Sequence, residues 1–443
     1  MGGELQRKRV VVIGGGFTGL SAAWDLARAG LDVTVLEQDQ NVGGLAAGFE
    51  LDSGEMLEKF YHHWFTSDRF VMALIEELGA QDQVVLRQTR TGMYYSNQLF
   101  RLSTPLDLLQ FSALGLVDRI RLGLLALRAR RLENWRDLEQ LSAARWLQSM
   151  AGERVYRVVW EPLLRGKFGA LAEEVSAVWI WNKLKLRGGS RGKGGAEELA
   201  YYRGGFAALT QRLRRNLEEA GGQVMTGVVA TGLHSENGRV IAVTTRDAVL
   251  PADAVIATPA LPIVADLLAA HVPADYLHSL RQVRYLANVC LVLELERSLS
   301  DTYWLNVNDP AFPFVGVVEH TNFEPAASYG GRHIAYLSRY LPETDPMYGL
   351  NADDMLQYCL PFLQRIFPDF RADWVLGHHV WRAQYSQPVV TREFSSQVPG
   401  VQSPLAGCFI ATMAQIYPED RGTNYAVRDG RAVARAVIAM LKG

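Results

Sequence analysis

Residues 10–44 read VVVIGGGFTGLSAAWDLARAGLDVTVLEQDQNVGG. The opening Val-Val-Val-Ile is a continuous apolar run, the pattern of a parallel strand buried on both faces. Gly14, Gly16 and Gly19 follow at G-x-G-x-x-G spacing. The first glycine permits a tight turn, the second lets backbone approach a pyrophosphate, and the third lets the next helix pack closely on the strand. A helix is predicted from about residue 20 to 29, with Phe17 and Thr18 in the turn that leads into it and Gly30 closing it. Its free N–H groups and positive dipole end would face an anion. A second strand is predicted over 32–36, and Glu37 stands at its end, where a carboxylate accepts hydrogen bonds from ribose hydroxyls. Glycines, strand, helix and acid together predict a dinucleotide site.

Gln38 and a short spacer then lead to Gly43-Gly44. This acid, spacer and glycine pair resembles the FAD site of the flavoprotein family that includes amine oxidases, protoporphyrinogen oxidases, phytoene desaturases and, more distantly, UDP-galactopyranose mutase. The resemblance implies that Gly43 and Gly44 lie against the diphosphate and flavin side of FAD. Many members carry Arg after the pair; here it is Leu45.

Composition bounds the alternatives. The chain has 443 residues, 49% hydrophobic and 21% charged, which suits a globular protein with two sizeable cores. A formal net charge of -2 offers no electrostatic footprint for nucleic acid. Cys290, Cys359 and Cys408 are widely spaced, so neither a disulfide framework nor a metal site is expected. A strand predicted near residue 10 leaves no room for a signal peptide, and no apolar run reaches the roughly 18 residues of a spanning helix. The expectation is a cytoplasmic protein with scope for membrane-peripheral contact and for a homodimer, acting on a small molecule.

Further along, residues 49–68 read FELDSGEMLEKFYHHWFTSD. Here His63-Trp64-Phe65 is similar in form to the His-x-Phe of the mutase branch, which implies that His63 faces the flavin or the substrate. Residues 70–78 are spaced as a helix, and 93–102 as a hairpin around Ser96-Asn97. Residues 105–132 combine leucines with Arg119, Arg121, Arg128, Arg130 and Arg131, and so read either as a solvated helical pair or as a membrane-facing surface. In WEPLLRGKFG, residues 160–169, Arg165 and Lys167 are candidates for an acidic substrate group. The glycine-rich run at 188–195, GGSRGKGG, misses the phosphate-loop spacing and reads as a mobile loop or lid.

At Tyr202 the chain is expected to return to the cofactor domain, with Gly204-Gly205 opening an amphipathic helix and strands over 223–229 and 239–249. The resemblance implies that backbone at Val228 and Val229 meets the adenine and that the strand ending at Thr258 leads back to FAD. Strands are also predicted over 289–295 and 333–337. Trp179, Trp181, Trp304, Trp381 and Tyr385 are candidates for a pocket wall, and Arg284, Arg339 and Arg382 for anion clamps, Arg165, Arg284 and Arg339 forming the substrate-binding set. The last segment has a strand over 408–411 and a helix from about Tyr425. By resemblance, Thr412 and Met413 follow the strand where relatives carry Asp, and Thr423, Asn424, Tyr425 and Ala426 begin a helix aimed at the flavin.

The expected fold is α/β: a discontinuous Rossmann-type FAD-binding domain over 1–66, 202–260 and 402–443, and an α+β substrate domain with a mixed sheet and helices over 67–201 and 261–401. The expected function is FAD-dependent removal of a hydride from a C–N or C–C bond of an amine or lipophilic substrate. The alternatives are a redox-neutral mutase-like flavoenzyme acting on a nucleotide sugar, and a non-enzymatic FAD-binding protein.

Overall fold

The computed structural model describes residues 7–189 and 197–442. Its centre is a five-stranded parallel sheet in the order Gln223–Thr226, Asp32–Glu37, Arg9–Ile13, Ala254–Ala257, Cys408–Ile410. In the middle strand Val11 lies opposite Thr34 on one side and Val255 on the other. Val10, Val11, Val12 and Ile13 are all buried, as a strand covered on both faces requires. Helices Phe17–Arg28, Gly205–Glu219 and Thr423–Lys442 pack together beside it. The approach of the last helix to the first is close: a Cβ at Gly430 would stand 2.3 Å from the Thr18 carbonyl oxygen.

A mixed seven-stranded sheet forms the second layer, in the order Val375–Pro388, Tyr285–Leu295, His333–Leu341, Gly316–Glu319, Trp304–Val307, Thr91–Tyr95, Gln98–Arg101. Side chains alternate across it. Cys290, Val292, Ile334 and Tyr336 join the core shared with the parallel sheet, whereas Val289, Leu291, Ala335 and Leu337 join a separate core with Met355 and Leu363 of helix Ala352–Ile366. A three-stranded sheet of Trp64–Phe65, Glu197–Tyr202 and Val84–Thr89 bridges the two regions.

Most predicted elements form, with shifted ends. The first helix starts at Phe17, because glycine backbone rather than a side chain forms its cap. The hairpin turns at Ser96 and Asn97, both in the left-handed region at φ +51° and +57°. The strand expected over 223–229 stops at Thr226, since Gly227 takes φ +71° and bends the chain along the end of its neighbour. The strand expected over 333–337 runs on to Leu341. Of the glycine-rich run read as a lid, 188–195, residues 190–195 lie outside the described residues.

Helix Leu116–Arg131 carries apolar residues on its exposed as well as its buried side. Leu125 and Ala129 are buried, yet Leu116, Val117, Ile120, Leu124 and Leu127 are exposed, joined by Leu106 and Leu109 of the short helix Pro105–Gln110. Among the described residues no helix is long and apolar enough to cross a membrane.

Candidate cofactor and substrate site

The glycine turn at the end of the first strand is built around two close approaches. Gly14, at φ +104°, donates its N–H to the Leu36 carbonyl at 2.8 Å. A Cβ at Gly19 would stand 1.9 Å from the Gly14 carbonyl oxygen, so only glycine lets the helix begin there. The second glycine pair folds back onto this turn. Gly43 donates to the Gly15 carbonyl at 2.9 Å and takes φ +127°; Gly44 takes φ +58°. Gly16 and Gly44 then face each other: a Cβ on Gly44 would stand 3.5 Å from the Gly16 Cα. Side chains at either position would fill this cradle. With the uncapped N–H groups of helix Phe17–Arg28 beside it, it fits a diphosphate.

The remaining expected cofactor residues divide into those that border this cradle and those committed elsewhere. Glu37 is buried, and its carboxylate accepts N–H groups of Gly15 at 2.7 Å and Asp39 at 2.9 Å. Burial raises its pKa, against the lowering effect of those two hydrogen bonds. Gln38 is exposed just past the strand. Val228 donates to the Glu37 carbonyl at 2.9 Å, so it and exposed Val229 lie along the same strand end. Leu45 is half-buried in the turn Gly44–Ala46.

Phe17 is buried edge-to-face against Phe206, leaving only its backbone to face the cradle. Thr18 is half-buried under the last helix. The Thr258 hydroxyl donates to the Ile13 carbonyl at 2.8 Å, which commits it to closing the first glycine turn. Thr412 is buried, its N–H held by the Gln415 side chain, with Met413 half-buried beside it.

Helix Thr423–Lys442 starts two residues earlier than Tyr425. The Thr423 hydroxyl accepts the Trp64 indole N–H at 2.7 Å. The Asn424 side-chain oxygen accepts N–H groups of Phe70 and Val71 at 2.9 and 3.2 Å, so it caps helix Arg69–Glu77. The Tyr425 ring lies 6.5 Å from that of Phe70, tilted against it, and 5.0 Å from the Arg428 guanidinium, and Ala426 donates to the Gly422 carbonyl.

The segment between cradle and second sheet is aromatic. His63 bonds the Tyr303 hydroxyl through Nδ1 at 2.9 Å, within a box of Phe65, Trp304 and Phe323. Its neighbour turns the other way: His62 lies 5.2 Å from the Phe206 ring and feels the Arg421 charge. Burial, opposed by the Phe60 carbonyl at 2.6 Å, pushes His62 down to about 4. The two adjacent imidazoles thus have different surroundings, His62 against Phe206 and His63 against Tyr303, Phe65, Trp304 and Phe323.

The three expected substrate arginines do not converge. Arg165 is exposed and pairs with Glu161 at 2.8 Å and Glu173 at 3.5 Å. Arg284 is exposed and held by Glu174. Arg339 shares the sheet face of Leu337, away from Tyr336 and Tyr340, and donates to the Phe312 carbonyl at 3.2 Å. Arg382 is tied to the carbonyls of Tyr348 and Leu350.

A different group of cations does converge. The Lys167 ammonium lies 4.9 Å from the Trp179 ring centre, 4.8 Å from Tyr340 and 5.7 Å from Phe168. Arg421 donates to the Tyr340 hydroxyl at 2.9 Å and to the Gln387 side-chain oxygen at 3.1 Å. Between them Asp420 pairs with Lys183 and accepts the Trp179 indole N–H at 3.0 Å. Burial raises the Asp420 pKa, but Lys183, Lys167 and Arg421 together outweigh it and hold the carboxyl below its ordinary value. Burial and the Lys183 charge pull Lys167 well below the usual lysine range. Neither Asp420 nor Arg421 stands out in sequence, because both lie in a loop without periodicity.

The flavin containing amine oxidoreductase family's sequence model matches residues 17–438, and the chain belongs to that family. FAD is the cofactor this membership carries, and the glycine cradle fits it. The chain is 28% identical over 193 residues to coproporphyrinogen III oxidase of Propionibacterium freudenreichii subsp. freudenreichii, a match spanning 40% of this chain and 34% of the relative. It matches 27% identically over 192 residues of mitochondrial protoporphyrinogen oxidase from Nicotiana tabacum, 41% of this chain and 38% of that one. These matches thus span less than half of the curated relatives' length. In fold, the chain superposes on an Exiguobacterium sp. 255-15 structure described as a protoporphyrinogen oxidase, with TM-score 0.78, 18% identity and coverage of 98% and 99% of the two chains. Reduced UDP-galactopyranose mutase is similar at TM-score 0.76 and 14% identity, covering 98% and 96%.

Proposed function

We propose that the protein is an FAD-dependent oxidoreductase removing a hydride from a C–N or C–C bond of an amine or lipophilic substrate. The observation that carries this reading is the facing pair Gly16 and Gly44, with Glu37 bordering it and the start of helix Thr423–Lys442 tied to the Trp64 strand. FAD, when bound, supplies the hydride acceptor. Gly14, Gly16, Gly43 and Gly44 would hold its diphosphate by backbone, with Gly19 letting the helix start close beside them, Glu37 would hold its ribose, and Val228 its adenine edge. The protein's own part is to bind and orient the substrate and to exclude water. His63, oriented by Tyr303, would face the flavin or the substrate. The domain division at 66/67, 201/202, 260/261 and 401/402 belongs to the same reading.

Anaerobic mixing of the purified holoprotein with amines, isoprenoids and porphyrinogens, followed by flavin absorbance, tests it. Bleaching by one class supports oxidation. If none bleaches the flavin, and the dithionite-reduced protein interconverts nucleotide sugars, the redox-neutral reading replaces it. The exposed face of helix Leu116–Arg131, with Arg128, Arg130 and Arg131 at its end, supports peripheral attachment to an anionic bilayer.

A further inference from the structure

Lys167, Lys183 and Arg421 are three cations that influence one another and share one carboxylate, Asp420. Asp420 is already taken by Lys183 and the Trp179 indole. Lys167 makes no hydrogen bond or ion pair with any described residue; its neighbours are three ring faces. Ring faces attract a cation but leave its N–H donors without acceptors. Arg421 is held through Nε and one Nη by Gln387 and Tyr340, which leaves its other Nη without a partner among the described residues. A half-buried group with surplus positive charge and unused donors lacks an acceptor of negative charge.

The same geometry argues against a cationic ligand. The rings that would cage a substrate ammonium already face Lys167, and the Lys183 and Arg421 charges beside it would repel an ammonium.

We propose that Lys167 and Arg421, both packed against the Tyr340 ring, bind an anionic oxygen group, carboxylate or phosphate, on the substrate. This deepens the oxidoreductase reading and rests on it for the word substrate. Trp179 and Phe168 form the aromatic wall beside the group, and Asp420 with Lys183 fixes the loop that carries Arg421.

Calorimetric titration of the FAD-loaded protein with benzoate, phenyl phosphate and benzylamine tests the assignment. The expected result is saturable binding of an anion and none of benzylamine; the tighter of the two anions identifies the group as carboxylate or phosphate. Lys167→Met should weaken that binding at least about tenfold with FAD content unchanged, since a hydrogen bond to a charged group is lost. Arg421→Gln supplies an independent variant should Lys167→Met fail to fold, with the same expectation. Wild-type affinity in either folded variant, or binding of benzylamine with neither anion bound, overturns the proposal. Flavin content and reducibility are read separately. A protein that binds the anion through Lys167 but whose flavin no substrate reduces would sink the oxidoreductase reading and leave the anion site standing.

Discussion

The Tyr201 hydroxyl lies 2.7 Å from one oxygen of the Glu58 carboxylate and 2.8 Å from the other, in a fully buried setting. The Phe206 N–H adds a second donor at 2.7 Å. Gly205, at φ +80°, is there because a Cβ would come within 2.5 Å of the same carboxylate. The arrangement joins the strand before the aromatic segment to the helix Gly205–Glu219. Glu58→Ala strands two buried donors and should cost about 3 kcal/mol in urea unfolding. Glu58→Gln, which keeps an acceptor, should cost about 1 kcal/mol.

Gly16 and Gly19 should separate cofactor binding from folding. A Cβ at Gly16 meets only the Gly44 Cα, at 3.9 Å, so Gly16→Ala should leave apoprotein stability within about 0.5 kcal/mol. Its FAD content, read by absorbance, should fall sharply. Gly19→Ala collides with backbone and should destabilise the apoprotein by more than about 2 kcal/mol.

Because Asn424 caps helix Arg69–Glu77 from the other end of the chain, Asn424→Ala should lose about 1–2 kcal/mol. Asn424→Asp retains an acceptor and should lose less. Chemical denaturation monitored by circular dichroism distinguishes the two.

His320 is buried, with Nε2 2.6 Å from the Tyr329 hydroxyl and Nδ1 without a partner. Burial pushes it down to about 3. The unfolded chain, near 6.5, therefore takes up a proton that the fold refuses, so stability present at neutral pH is lost as pH falls from about 6.5 towards 3. His320→Gln should remove up to about 1.4 kcal/mol per pH unit of that slope between pH 6 and 4. Equal slopes for the two proteins would contradict this assignment.

Peripheral membrane attachment should appear as sedimentation with anionic liposomes at low salt that is lost at high salt. Ile120→Asp with Leu127→Asp places charge in the exposed face and should abolish sedimentation while leaving the melting temperature nearly unchanged, since both residues are about half exposed. Sedimentation of the double variant at the wild-type level would end that reading.

The cofactor half was legible in residues 10–44 because each of its parts is local: an apolar strand, glycines at fixed spacing, an acid at the next strand's end. The substrate half was not, because it depends on which way a side chain turns. Arg165 and Lys167 are two apart on one helix, yet Arg165 meets Glu161 in solvent and Lys167 meets Trp179 inside. Arg339 and Tyr340 are adjacent and lie on opposite faces of one strand. His62 and His63 divide in the same way. The cap that Asn424 places on helix Arg69–Glu77 was not legible either, because that helix lies far off in the chain.

The middle position of strand Arg9–Ile13 also sets the order of events at the ribosome. One partner, Asp32–Glu37, emerges at once, but the other, Ala254–Ala257, follows Asp253, whose carboxylate receives the Arg9 N–H across 244 residues. At roughly 5–20 residues per second, that is about 10–50 s during which a hydrophobic strand has an unpaired edge. The nascent chain is exposed to mispairing for most of its synthesis. A chaperone that shields the first fifty residues would therefore raise the yield of folded protein more than one that acts after release.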